Sequence, residues 1–190
     1  EEDDPEFYCT LTQGCYGNYG GKFNDMTTVE VLTDLLSTDL VLGENSNTFT
    51  LTQNDVDCVI LRLPGGGQPK ALNGEATCDN PVGIQLHNSG RIKNILLAQA
   101  ITLGLNLRLD ANLGGVLIDD LPFSLASGIM DYLDPTDDID ALFALANHIL
   151  GGGSVAGISR GDIAGAMGRI NNYFDECASL PSAPSPTLFG

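Results

Sequence analysis

Five cysteines carry most of the chemistry in this sequence: Cys9, Cys15, Cys58, Cys78 and Cys177. They are scattered, with no C-x-x-C pair among them. A structural zinc site draws on close cysteine pairs or interleaved histidines, and this chain offers just two histidines, His87 and His148. Disulfides are therefore the expected use, which implies an oxidising, exported location. Cys9 begins the domain and Cys177 ends its last expected helix, so pairing them would close the fold. Cys58 and Cys78 flank much of a long Gly- and Pro-containing loop, where a bridge contributes about 3 kcal/mol by restricting the unfolded chain. Cys9–Cys177 with Cys58–Cys78 is the preferred pairing and leaves Cys15 as a free or intermolecular thiol. Cys9–Cys15 with Cys177 free is the main rival.

Other constellations stop short of a reaction. "GNYGGKF" (17–23) has the glycines of a phosphate cradle, but Phe23 stands where a hydroxyl belongs and Tyr16 where the first glycine belongs. It reads instead as a turn whose glycines allow positive φ. A nucleophilic Cys15 needs a neighbouring base; His87 sits in a loop, and His148 lies near a helix end, where the C-terminal dipole explains it. Asp134, Asp137, Asp138 and Asp140 in "DPTDDID" form a weak calcium candidate, with Asp119 and Asp120 a weaker second. The spacing of a calcium-binding EF-hand loop is absent, and helix capping explains three of the four. Acid pairs for glycoside cleavage carry no spacing signal, and the chain has no Trp. The expectation is a protein without catalytic residues or a resident cofactor.

Charge narrows the partners. The 190 residues carry 25 acids against 8 bases, a net charge of −17, which repels nucleic acid and anionic membranes. The longest apolar stretch, "ILLAQAITLGLNLRL", is too short to span a bilayer and contains Gln99, Asn106 and Arg108, so no membrane insertion is expected. The abrupt acidic start reads as a mature start after removal of an export signal, or as a domain cut from something longer.

The elements that must hold these residues are mostly helical. Residues 1–8 form an acidic extension, 9–178 a single globular domain, and 179–190 a Pro/Ser-rich extended tail. "TTVEVLTDLLST" predicts a helix capped by Thr27 or Thr28, with Val29, Leu32, Leu35 and Leu36 on one face. "DLVLG" and "TFTLT" around "ENSN" predict a β-hairpin. "NDVDCVILRLP" predicts a short helix with Asn54 as its cap. "RIKNILLAQAITLGLNLRL" is apolar on nearly all sides, so a buried helix over 91–107 is expected at the centre, with Gly104 admitting a close neighbour. "GGVLIDDLP" reads as a short strand or extended link, and "SLASGIMDYL" as a weaker helix. "DPTDDIDALFALANHIL" predicts a helix capped by Thr136, with Leu142, Leu145, Ala146 and Ile149 on one face. "SRGDIAGAMGRINNYFDEC" predicts a last helix capped by Ser159, with Ile163, Met167, Ile170 and Phe174 on one face. The fold class expected is mainly α, about five helices around the central one plus a small β-hairpin, stapled by disulfides.

"CTLTQG-CYGN" at 9–18, "CVILRLPGGG" at 58–67, "RIKNILLAQAITLGLNLRLD" at 91–110 and "INNYFDEC" at 170–177 together carry a resemblance. The chain resembles an uncharacterised module of exported bacterial proteins that opens with Cys-Thr-x-Thr-Gln-Gly-aromatic and closes with Asn-x-x-Phe-Asp-x-Cys. The likeness covers most of residues 9–177; Cys15 departs from it where an aromatic is usual. The resemblance implies secretion or cell-surface display and assigns no activity.

The functional expectation is a non-enzymatic, acidic extracellular structural protein. It would be displayed on a bacterial surface or assembled with its own copies into a filament. Its terminal segments would make the contacts: Phe7 and Tyr8 at one end, Pro186, Thr187, Leu188 and Phe189 at the other. The alternative is a glycan- or protein-binding module of a larger secreted protein.

Overall fold

The computed structural model describes residues 5–181. Its elements run β1 (Phe7–Tyr8), α1 (Gln13–Tyr16), β2 (Lys22–Phe23), β3 (Met26–Thr27), α2 (Thr28–Leu35), β4 (Leu40–Glu44) and β5 (Asn47–Leu51). Then follow α3 (Val56–Arg62), β6 (Glu75–Thr77), α4 (Ile95–Leu109), α5 (Ser127–Tyr132), α6 (Ile139–Leu150), α7 (Arg160–Tyr173) and β7 (Ala178–Ser179). Seven α-helices and three small sheets among the described residues make a mixed α/β fold, not a mainly α one with a single hairpin.

α4 is the axis, as its all-round apolar sequence demands. Ten consecutive or nearly consecutive residues from Leu96 to Asn106 are buried, with half-buried Gln99 the one interruption. It packs against α7 and α6 on one side and against β4, α1 and α2 on others. Gly104 is where neighbours press closest. A Cβ built there would lie 3.1 Å from Leu40 Cδ1 and 3.2 Å from Phe143 Cζ, contacts from β4 and α6. The helix spans 95–109 and not 91–107. Asn94 caps it by accepting from the Leu97 N–H at 3.3 Å. The residues before it stay extended because the Ile92 and Lys93 N–H groups donate to the Arg62 and Gln85 carbonyls.

The expected hairpin is β4–β5, joined by a two-residue turn with Asn45 at φ 54°. The long loop after α3 adds β6 parallel to β5 and so makes three strands, with Thr48, Phe49 and Thr50 opposite Glu75, Ala76 and Thr77. A second hairpin, β2–β3, turns on Asn24 and Asp25, both at positive φ, the backbone required by a tight two-residue turn. The third sheet pairs the described ends: Phe7 with Ser179 and Tyr8 with Ala178. The folded body thus extends slightly beyond 9–178 at both ends.

Local chemistry shifts several expected boundaries. α2 is capped by the Thr27 side chain and buries Thr28, Val31, Leu32 and Leu36 with Leu35 half-buried, leaving Val29 at 38% exposure on the solvent side. The cap before α3 is a Thr52–Asp55 box with a single 3-10 turn, and Asn54 is exposed. α6 is capped by Asp138, not Thr136, because residues 137–139 are first held extended: Ile118 N–H donates to the Asp137 carbonyl and Ile139 N–H to that of Val116. "GGVLIDDLP" consequently forms two 3-10 turns bracketing that bridge, not a strand. α7 has the expected Ser159 cap, reinforced by Asp162 accepting from the Ser159 N–H. Ile163, Met167, Ile170 and Phe174 are all buried.

Candidate functional site

The opening and closing motifs meet. Cys9 is bonded to Cys177 across 168 residues, and Cys58 to Cys78 across 20; Cys15 is free. Around the first bridge the two motifs interlock residue by residue. Thr10 Oγ1 donates to the Asn171 carbonyl at 2.6 Å, and the Thr10 N–H donates to the Phe174 carbonyl. Thr12 caps α1. Gln13 Oε1 accepts from the Gly65 N–H at 2.8 Å and ties the segment to the loop after α3. Tyr8 packs edge-on against Phe174, which packs against Tyr173.

The hub of this clasp is Asn106, fully buried within α4. Its Oδ1 accepts from the Leu11 N–H at 2.9 Å and from the Tyr16 hydroxyl at 2.7 Å. Its Nδ2 donates to the Leu11 carbonyl and to Asn171 Oδ1, both at 2.9 Å. Asn171 in turn donates to Gln99 Oε1 at 2.8 Å. Burial pushes the Tyr16 phenol well above its ordinary pKa, so it remains a donor. Among the described residues no buried side-chain polar atom lacks a partner. Sequence reading used Asn106 only to reject a membrane span. The two amides inside an apolar helix, Gln99 and Asn106, are the signal, because such groups are retained in a core only when hydrogen-bonded.

The backbone bends to complete the clasp. Glu176 and Cys177 both take left-handed conformations, at φ 61° and 67°, and so turn the chain after α7 back onto Cys9. Each such non-glycine position costs on the order of 1 kcal/mol, and the disulfide holds them there.

Cys15 lies half-buried, and the hollow around it is lined by Leu11, Tyr16, Lys22, Phe23, Thr28 and Val31, with no histidine. Burial, and then Asp175, push its thiol pKa up, opposite to what a nucleophile needs. His87 is exposed in its loop. His148 Nδ1 sits 3.0 Å from Glu44 Oε2, joining α6 to β4. The glycines of "GNYGGKF" are not at positive φ. They allow close approach: a Cβ on Gly17 would fall 1.9 Å from the Leu63 carbonyl oxygen, and one on Gly21 2.5 Å from Thr28 Oγ1.

Two carboxylates of the acidic run, Asp137 and Asp138, are engaged with backbone. Asp137 accepts from the Asp134 N–H at 2.7 Å, Asp138 caps α6, and Asp140 lies in its first turn against Gly114. No cluster of three or more metal-ligating side chains occurs among the described residues. Of the expected assembly residues, Phe7 is 62% exposed, whereas Tyr8 is buried in its own domain and its hydroxyl donates to Glu6 at 2.5 Å, lifting its pKa to about 12. Tyr8 is thereby committed to the fold and not available to a neighbour. Pro186, Thr187, Leu188 and Phe189 lie outside the described residues. Two open troughs flank the start of α7. One, of about 470 Å³, runs between Pro69, Ile149 and Arg160; the other, of about 300 Å³, lies between Leu125 and Arg169.

The two disulfides are compatible with an extracellular location, and no helix among the described residues is long and apolar enough to cross a membrane. No protein-family model, no curated protein and no solved structure matches the chain significantly.

Proposed function

We propose that this protein is a non-enzymatic extracellular structural subunit that associates with its own copies through its terminal segments. The observation that carries the reading is the clasp. The conspicuous motif residues are consumed in binding the first segment of the domain to the last, through one disulfide, a strand pair and the Asn106 network. Chemistry-bearing side chains used this way build a durable body. β1 and β7 lie side by side, so the two ends of the described chain meet at one edge, with Phe7 exposed there. The resemblance to an exported bacterial module supports the same reading. Light scattering and electron microscopy on the full chain, and on a chain ending at Pro181, test it. The full chain should grow in mass with concentration and the shortened one should not. A full chain that stays monomeric at every concentration refutes it.

Adjacent ends also suit a module strung within a longer chain. That favours a second reading, a glycan- or protein-binding module of a larger secreted protein, for which the α7 troughs are the place to look. A glycan array that finds a ligand lost on Arg160→Ala or Arg169→Ala would favour it.

A further inference from the structure

We infer that the Cys9–Cys177 bond is a load path: tension applied through the two flanking segments crosses the module through sulfur and bypasses its fold. The inference deepens the structural reading above and follows from connectivity. β1 leads into Cys9 and β7 leaves Cys177, and their register sets Phe7 against Ser179 and Tyr8 against Ala178. Both outer ends of this fork therefore lie on the same side, with the disulfide at its root.

Pulling the flanks apart loads the fork one residue pair at a time, as in opening a zipper, and two short strands offer little resistance. The next connection is covalent. The 168-residue separation between Cys9 and Cys177 contains α1 to α7, the Asn106 network and the Cys58–Cys78 bridge. None of it lies on the route between the ends while the Cys9–Cys177 bond is intact. Forced unfolding is governed by the unfolding rate of whatever structure bears the load; here the loaded structure is one S–S bond. A chain of such modules would stretch in its linking segments while every module kept its shape.

Single-molecule force spectroscopy on the full chain, gripped at its two ends, tests this. In the oxidised protein the expected trace shows only the straightening of the flanks and the opening of the fork. In the C9S/C177S variant, or after a phosphine reductant is added to a tethered oxidised molecule, the module should yield. The extension gained should be roughly 500 Å in the variant, where Cys58–Cys78 stays intact, and roughly 600 Å where the reductant opens both bonds, at about 3.6 Å per released residue. Adding reductant to a molecule already folded keeps the test valid if the variant fails to fold. A gain of that size in the oxidised protein overturns the inference. So does a reduced molecule that does not lengthen at loads that straighten the flanks, since the hydrogen-bonded clasp would then bear the tension. One tethered molecule suffices, so the result is independent of assembly, which light scattering reports separately.

Discussion

Asn106 shows how one side chain can carry a disproportionate share of the fold. It answers four groups at once: the Leu11 N–H and carbonyl, the Tyr16 hydroxyl and the Asn171 amide. Asn106→Leu keeps the branched shape but adds bulk, and it strands all four in a dry environment. Each unsatisfied buried group costs about 1–3 kcal/mol, so a loss of 3 kcal/mol or more is expected at the denaturant midpoint. Tyr16→Phe removes one donor and leaves Asn106 three partners; a loss of about 1 kcal/mol is expected. If both variants lost the same small amount, the network would not be the hub described. Cys15 supplies a separate check. Its raised thiol pKa and half-burial predict that a thiol reagent at neutral pH modifies it more slowly in the native protein than after denaturation. Equal rates would contradict the burial.

At the scale of elements, the local terms are separable. Ser159→Ala removes the side-chain acceptor of the Asp162 N–H, while the N–H of residue 159 can still donate to the Asp162 carboxylate; a cost of about 1 kcal/mol is expected. On the loop-entropy relation, the Cys58–Cys78 bridge, closing 20 residues, contributes about 3 kcal/mol, and Cys9–Cys177, closing 168, about 5 kcal/mol. Replacing each pair by serines should reproduce that order in thermal unfolding, and the reverse order would show that strain or residual structure dominates. The same elements explain what was legible beforehand. α4, α6, α7 and the β4–β5 hairpin announce themselves through periodicity and turn residues that act within a few positions. The disulfide pairing is legible from position: Cys9 and Cys177 stand at the two ends of the domain, and Cys58 and Cys78 flank much of the long loop after α3. β6 and the β1–β7 pair were not legible, since two- and three-residue strands carry no pattern and exist only through partners distant in sequence. Thr136 and Asn54 were plausible caps by type. They lost to Asp138 and Thr52 because tertiary bridges decide where the extended chain stops.

At the scale of the molecule, the question is what a net charge of −17 does to a fold held this way. The few bases do not neutralise the acids pairwise. Among the described residues the only contact within 4 Å between a basic and an acidic side chain is His148 Nδ1 with Glu44 Oε2. Four of the five arginines instead donate to backbone carbonyls: Arg108 to Leu35, Thr38 and Asp39, Arg62 to Gly90, Arg91 to Leu63, and Arg169 to Ser124. Several acids accept backbone N–H bonds, as Asp55, Asp110, Asp138 and Asp162 do, but without basic partners the surplus charge also repels itself, which the compact state feels more than the unfolded one. Two of them show it locally. Burial and then Asp138 raise the Asp140 pKa, and burial and then Glu176 raise that of Asp175. A carboxyl with a higher pKa folded than unfolded binds its proton more tightly in the native state. Stability therefore falls as pH rises from the ordinary aspartate range through the raised value, and returns on acidification. Salt acts in the same direction: the screening length shrinks from about 30 Å at 0.01 M to about 3 Å at 1 M. At about 0.01 M salt the unfolding temperature should be higher near pH 5 than near pH 8. Raising salt to about 1 M should lift the pH 8 value and narrow the gap. A low-salt unfolding temperature that drops between pH 8 and pH 5 would mean that the carboxylates stabilise the fold through partners and do not strain it.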